Sequence, residues 1–362
     1  MTILNDDLTR IFNGLTDEEK AKFKDSTILI TGCGGFLGYY FISFLTKYAD
    51  ILGIKKIIGL DNFIIGHPSW LQKYSDEKLM SIYNFDIISD NISDIDGGEQ
   101  VTHILHMASI ASPTYYREFP IETLDANVWG LRKLLDFYNG KNINGFLFFS
   151  SSEIYGDPTE EYIPTPEEYN GNVSTVGPRA CYDEAKRFGE TICYLFNQKY
   201  NMPITVVRPF NNYGPGMRLN DKRVPADFAK AVIHNSDIVM LSDGNPTRTF
   251  CYISDAITGY LKALLHPEFE IFNIGIDKPE ISIKQLATYY SDIGKEILGY
   301  SGNISFGISD DRNYLVNNPN RRCPIIDKAK RKLGYNPQVS VEEGIRYFLK
   351  FIKESHDGGI EW

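Results

Sequence analysis

Cysteine is scarce in this sequence, positive charge is outnumbered and no long apolar run goes unbroken, and each shortage removes a class of protein. Five cysteines in 362 residues, an odd number without metal-ligand spacing, argue against a disulfide framework or a metal site and predict free thiols in a reducing cytosol. Cys33 and Cys181 flank the motifs described below but have no base beside them in sequence, so they read as small packing residues. A net charge of -10 argues against a nucleic-acid ligand and against an anionic membrane surface. The apolar stretch 28–45 is interrupted by four glycines, so no membrane span is expected. Near the start stand Asp6, Asp7, Asp17, Glu18 and Glu19, without a basic segment or a long apolar core, and a cytoplasmic location is expected. Internal repeats and low-complexity tracts are also missing.

What the chain does have is a glycine loop. Gly32-Cys33-Gly34-Gly35-Phe36-Leu37-Gly38 follows Thr27-Ile28-Leu29-Ile30, which reads as a buried parallel strand, and precedes residues 39–45, which read as a helix. Strand, turn and helix in that order are the setting in which such glycines bind a dinucleotide. Gly32 allows the tight turn, Gly35 close approach of backbone to a pyrophosphate, and Gly38 close packing of helix on sheet. The pyrophosphate then rests on the helix N-terminus. The next strand, Lys56-Ile57-Ile58-Gly59-Leu60, ends at Asp61, placed to accept hydrogen bonds from ribose hydroxyls and to repel a 2′-phosphate. NAD is therefore expected over NADP. Asp86, in Asn84-Phe85-Asp86, is a further candidate, for the adenine amino group.

Far downstream stands Tyr182-Asp183-Glu184-Ala185-Lys186. At helical spacing the phenol and the ammonium share a face, so the lysine is expected to favour the phenolate. Such a phenol can take a proton from a sugar hydroxyl while hydride leaves the same carbon. Between the two motifs lies a hydroxyl-rich strand end, Phe149-Ser150-Ser151-Ser152-Glu153, and ligands of open α/β sheets bind beyond the carboxyl ends of strands. Ser151 is expected to complete a proton relay with Tyr182 and Lys186, and Glu153 to face a polyol.

Strand candidates at 101–106, 145–149 and 204–207 alternate with helix candidates around 127–138 and 182–200, which predicts an α/β fold with a doubly wound parallel sheet. Residues 270–275 read as a strand that rejoins it. The expected organisation is a helical extension over 1–25, containing the capping box Thr16-Asp17-Glu18-Glu19. A dinucleotide-binding domain over 26–207, rejoined by 250–276, and a smaller interleaved substrate lobe mainly over 208–362 complete it. Arg223, Arg248, Arg321 and Arg322 fall in loops of that lobe, where guanidinium contacts with a diphosphate are favourable.

At these residues the chain resembles the extended short-chain dehydrogenase/reductases, a Rossmann-type family that includes NAD-dependent nucleotide-sugar epimerases, dehydratases and decarboxylases. The resemblance runs over about residues 27–337. Within that family, Gly177-Pro178-Arg179-Ala180-Cys181-Tyr182, Ser152-Glu153-Ile154-Tyr155-Gly156-Asp157-Pro158, Ala108-Ser109-Ile110-Ala111-Ser112-Pro113, Asn220-Asp221-Lys222-Arg223-Val224 and Asn320-Arg321-Arg322-Cys323-Pro324 are most similar to the UDP-glucuronate decarboxylases. The 4,6-dehydratases usually carry an Asp-Glu pair where this chain has Ser152-Glu153. The chain departs from the decarboxylases in Ser151 for threonine, Ile110 for proline, Lys222 for glycine, and in its N-terminal extension.

The resemblance implies NAD contacts from Gly32, Gly35, Phe36, Leu37, Gly38, Asp61, Asn62, Asp86, Ala108, Asn127, Tyr182 and Lys186. It implies catalytic roles for Tyr182, Lys186, Ser151, Glu153 and Arg322, and contacts with a UDP-sugar from Ser112, Glu153, Asn211, Arg223, Arg248 and Arg322. A homodimer is also implied. Tyr182 would remove the C4 hydroxyl proton as the C4 hydride passes to NAD. The C4 ketone then lies β to the C5 carboxylate, carbon dioxide leaves, Arg322 assists protonation of the enolate, and the hydride returns. A C4 epimerase, a 4,6-dehydratase or a C4 dehydrogenase for another sugar would share the first step. A protein that only senses a dinucleotide would have no use for Tyr182 and Lys186.

Overall fold

The run Thr27–Thr31 (β1) is buried along its whole length, as a strand covered on both faces must be. The computed structural model describes residues 2–74, 78–309, 313, 316 and 318–357. The further strands are Lys56–Asp61 (β2), Met80–Asn84 (β3), His103–His106 (β4), Gly145–Phe149 (β5) and Ile204–Pro209 (β6). Short ones follow at Asn212–Tyr213 (β7), Ile238–Met240 (β8), Thr247–Arg248 (β9), Cys251–Tyr252 (β10), Ile271–Ile274 (β11), Ile281–Ser282 (β12), Ile304–Phe306 (β13) and Arg321–Arg322 (β14). The first half of the chain holds helices Ile3–Gly14 (α1), Asp17–Ala21 (α2), Phe36–Lys47 (α3), Ala49–Leu52 (α4), Pro113–Glu118 (α5), Pro120–Asp125 (α6), Leu131–Tyr138 (α7) and Ala180–Tyr200 (α8). Val224–Ile233 (α9), Ile253–Leu264 (α10), Ile283–Leu298 (α11), Asp327–Leu333 (α12) and Val341–Asp357 (α13) complete the set.

Seven strands form one sheet in the order β3-β2-β1-β4-β5-β6-β11, every pairing parallel. The order reverses between β1 and β4, and the carboxyl ends on either side of that switch point open the crevice in which ligands of such sheets bind. This is the doubly wound α/β architecture expected from the alternation of elements. Outside it, β9 carries a small sheet of its own, with β12 antiparallel on one side and β14 parallel on the other. That register sets Arg322 beside Arg248.

Local chemistry adjusts the expected boundaries. The strand expected from residue 101 begins at His103, because Thr102 spends its hydroxyl on Thr27, accepting from its amide at 3.2 Å and donating to its carbonyl. The helix expected from Asn127 opens instead with a π-helical turn, Ala126–Gly130, in which Gly130 passes so close to Ile87 that a Cβ would meet its Cγ2 at 2.6 Å. The capping box at Thr16 forms both of its hydrogen bonds.

Helix α1 is joined to the body through a buried acid. Asp7 is 1 % exposed, pairs with Arg10 at 2.6 Å and accepts from the hydroxyls of Tyr40 and Tyr252, both at 2.7 Å. None of the described helices is long and apolar enough to cross a membrane.

Candidate active site

The glycine loop folds as its composition requires. Gly32 takes φ +71°, where an L side chain is strained, and a Cβ on Gly38 would sit 2.1 Å from the Cys33 carbonyl oxygen. Gly35 begins α3 with no side-chain cap, so the first amides of that helix stay free of side-chain partners and face the crevice. Asp61 closes the turn from β2: one carboxylate oxygen accepts from the Gly34 amide and the other from Phe63, each at 2.8 Å. Burial raises its pKa while these two amides lower it. Asp61 therefore shapes the glycine loop as well as facing the cleft.

The tyrosine and lysine are placed by one close helix-to-strand approach. Where α8 crosses β5, a Cβ on Gly189 would come within 2.5 Å of the Phe148 ring. The proximity brings Lys186 Nζ to the Phe149 carbonyl at 2.6 Å, with the ammonium 5.6 Å from the Tyr182 ring centre. Burial lowers the Lys186 pKa to about 7 and raises that of Tyr182 to about 12, against a hydrogen bond from Ser151 that lowers it. The expectation that the lysine eases the phenol toward ionisation is corrected here: burial is the largest influence, the charges of Glu153 and Asp183 add to it, and the phenol stays protonated at pH 7.

The turn Ser152–Tyr155 after β5 is held from below by a buried network. Arg208 pairs with Glu190 at 2.6 Å and donates to the Tyr155 hydroxyl at 2.6 Å, and Tyr155 donates to Asn273 Oδ1 at 2.7 Å. Above it, Ser151 caps the turn by accepting from the Glu153 amide. Glu153 then meets two guanidinium groups, Arg179 from the start of α8 and Arg322 from β14, the latter with both terminal nitrogens. Burial pushes the Glu153 carboxyl up, but Arg179 and Arg322 prevail and hold it down at about 2.

The glycine loop, Asp61, Ser151, Glu153, Arg179, Tyr182, Lys186 and Arg322 open onto one cleft of about 500 Å³. Its walls include Gly32, Gly35, Phe36, Leu37, Gly38, Asp61, Asn62, Asp86 and Ala108 at the sheet side, and Ser112, Asn211, Arg223, Arg248 and Arg322 opposite, with Ser151, Glu153, Tyr182 and Lys186 between them. Asn127 is the exception among the expected contacts. It is fully buried behind the wall and donates to Ser109 Oγ at 2.9 Å and to the Thr123 carbonyl at 2.7 Å, so it holds a lining residue and does not line the cleft itself.

The arginines differ in what they have already bound. Arg223 pairs with Asp221. Arg248, 7 % exposed, donates among the described residues only to neutral oxygens, such as the carbonyls of Thr247 and Pro319 at 2.7 and 2.6 Å. Burial, and after it the charge of Arg322, lowers its pKa to about 9, and among the described residues no anion is bonded to it. Arg321 points away, paired with Glu280. Sequence reasoning missed Arg179 and Tyr116, whose ring carries Tyr182 on one side and approaches the Arg179 guanidinium at 5.9 Å. The spacing of Arg179 and Asp183, four residues apart at a helix start, was the available signal.

A switch-point cleft that joins a glycine loop to a tyrosine–lysine pair defines a dinucleotide-dependent enzyme of the short-chain dehydrogenase/reductase type. The chain belongs to the NAD dependent epimerase/dehydratase family, whose model matches residues 28–275. It is 34% identical over 328 residues to UDP-glucuronic acid decarboxylase 1 of Xenopus tropicalis, covering 90% of this chain and 72% of that protein. An Arabidopsis thaliana relative, UDP-glucuronic acid decarboxylase 5, is 32% identical over 321 residues, 88% of this chain and 86% of its own length. In fold the chain is similar to UDP-glucuronic acid 4-epimerase from Bacillus cereus, with a TM-score of 0.72 at 24% identity, over 91% of this chain and 99% of that one.

Proposed function

We propose that the chain decarboxylates UDP-glucuronate to UDP-xylose through a C4 ketone, with NAD as a cofactor that ends the cycle unchanged. The observation that carries the reading is the setting of Glu153. Two arginines keep it ionised at the sugar end of the cleft, and Ser152 stands beside it. Dehydration needs an acid able to give up a proton to the departing hydroxyl, and a carboxylate held near 2 beside a serine is a poor one. The same guanidinium groups suit a sugar that carries a carboxylate. The curated decarboxylases to which the chain is similar support the reading.

The residues present fit NAD. The uncapped start of α3 over Gly35, Phe36, Leu37 and Gly38 would hold the pyrophosphate, Asp61 and Asn62 the adenosine ribose, and Asp86 and Ala108 the surrounding groups. When bound, NAD accepts the C4 hydride and later returns it. Lys186, lowered to about 7 and so partly unprotonated at neutral pH, takes up the proton of the Tyr182 phenol, Ser151 stabilises the resulting phenolate by hydrogen bonding, and the phenolate takes the C4 hydroxyl proton. As carbon dioxide leaves, the electrons of the C5–carboxylate bond form an enolate, and Arg322 stabilises its oxygen until C5 is protonated. Ser112, Asn211, Arg223 and Arg248 would hold the nucleotide diphosphate, Arg248 with a charge that no anion among the described residues bonds.

We assign residues 26–207 with 250–276 to cofactor binding, 208–362 mainly to the sugar nucleotide, and 1–25 to a structural extension. Ile121, Trp129, Phe188 and Leu195, on or beside α6 and α8, are 52 to 65% exposed, and this apolar face supports a homodimer. The five free cysteines suit the cytoplasm. Incubation with UDP-glucuronate and mass spectrometry of the products tests the activity. Loss of carbon dioxide is expected; loss of water or an unchanged mass would replace decarboxylation by dehydration or epimerisation.

A further inference from the structure

Asp183 follows the proposed base directly in sequence, yet it faces away from the cleft into the cluster that holds Glu153. Its side chain is 7% exposed and its nearest cation is Arg179 Nε, at 3.6 Å. Asp183 Oδ1 and Arg179 Nε are both buried without a hydrogen-bond partner among the described residues. The groups that face Asp183 are Arg179, Cys181 and Tyr182 at the start of α8, Glu153 from the turn after β5, Arg322 from β14 and Tyr116 from α5. Two carboxylates thus share two arginines, but unequally. Glu153 has hydrogen bonds from both guanidinium groups, whereas Asp183 has one contact beyond hydrogen-bond length.

When two carboxylates compete in a desolvated site, the better-solvated one keeps the charge and the other keeps the proton. Burial, and after it the charge of Glu153, raises the Asp183 pKa to about 7. Counting Arg179, Arg322, Glu153 and Asp183 alone, the cluster is neutral with Asp183 ionised and carries one positive charge with Asp183 protonated. Only in the second state does the cluster have a cation to offer without leaving two carboxylates to one arginine.

We propose that Asp183 is a positioning residue that sets the charge of the Arg179–Glu153–Arg322 cluster, and that its protonation frees Arg322 to leave Glu153 for the carboxylate of the sugar. Arg179 then keeps Glu153 paired alone. This inference rests on the UDP-glucuronate reading above. Linkage makes it specific: an anion that draws Arg322 away favours the protonated form of Asp183, so binding the anionic sugar takes up protons.

The test is calorimetric titration of the protein loaded with NADH, which cannot take a hydride and so keeps the proton consumed by decarboxylation out of the signal, with UDP-glucuronate and with UDP-glucose, in buffers of different ionisation enthalpy between pH 6.5 and 8; carbon dioxide release is read separately with NAD. The two ligands share every group except the carboxylate, so proton changes at Tyr182, Lys186 and the diphosphate site cancel in the comparison. UDP-glucuronate is expected to take up more protons than UDP-glucose, by at most about half a proton at pH 7 and more at pH 8, from a group that titrates at about 7. Asp183→Asn should abolish that difference and flatten the rise of KM for UDP-glucuronate above pH 7. Equal proton uptake for the two sugars in the wild-type protein overturns the proposal, and that comparison does not depend on the variant folding. A folded Asp183→Asn protein that retains the difference overturns it as well. If UDP-glucuronate binds and loses carbon dioxide with no extra uptake, the role of Asp183 falls while the decarboxylase reading stands. If it does not bind, both fall.

Discussion

Tyr182 lies flat against Tyr116, with ring centroids 5.1 Å apart and planes 13° from parallel. The stacking fixes the plane of the proposed base and excludes water from one of its faces, so the ring is oriented before a substrate arrives. The same burial raises the pKa of Tyr182 to about 12. Position and reluctance to ionise have one cause.

Replacing Tyr182 by phenylalanine keeps this stacking and removes the ionisable oxygen. Turnover should fall by about 10²–10⁴-fold, the usual contribution of general acid–base catalysis, with NAD affinity near normal. Steady-state kinetics and a cofactor titration read both quantities, and wild-type turnover in this variant would eliminate Tyr182 as the base.

NAD should bind at least about tenfold more tightly than NADP. The Asp61 carboxylate is fixed by the Gly34 and Phe63 amides at the end of β2, so it cannot swing away from a 2′-phosphate, and it faces that group with negative charge. Competition binding on the isolated protein measures the ratio. Equal affinities mean that Asp61 serves only the loop.

For Arg322→Ala the order of events matters more than the size of the loss. If Arg322 acts on the enolate, the first hydride transfer should survive better than completion of the cycle, and reduced cofactor should accumulate during turnover with UDP-glucuronate. Stopped-flow absorbance at the NADH band follows it. A rise in KM alone would mean that Arg322 contributes only uniform substrate binding.

Asp7 gives the N-terminal extension a pH signature. Burial raises its pKa from 3.8 to about 6, opposed by hydrogen bonds from Tyr40 and Tyr252 and by Arg10. The folded state then holds the proton more tightly than the unfolded one, so stability falls as pH rises from about 4 to about 6, by roughly 3 kcal/mol in total. Asp7→Ala removes this dependence and leaves two tyrosine hydroxyls without their acceptor. Its melting temperature should lie furthest below wild type near pH 4.5, with the gap narrowing by pH 7.5. A gap that widens with pH would contradict the sign.

Charge placed on the exposed apolar face should separate subunits. Leu195→Asp, at a side chain 56% exposed on α8, is expected to convert a dimer to monomers in sedimentation velocity while leaving the melting temperature within a few degrees. A wild-type protein that sediments as a monomer removes the dimer from the proposal.

Much of the fold and the core of the site were legible in the sequence because they rest on short-range relations. Gly32 and Gly38 are needed by the local backbone, Asp61 ends a strand, and Tyr182 and Lys186 share a helix face whatever surrounds them. Alternating strands and helices fix the sheet class by the same logic. What the tertiary structure decided was who meets whom across long stretches of chain, and at what cost in lost water. The Arg322 and Glu153 pair spans 169 positions and depends on β14 joining β9, a pairing of two residues that no periodicity announces. Asn127 carries the residue type of a ligand contact but is buried, its amide given to Ser109 and to the Thr123 carbonyl. Spacing set the lysine beside the tyrosine, but burial set the state of the phenol, because desolvation depends on every element packed around a group and not on its neighbours in sequence.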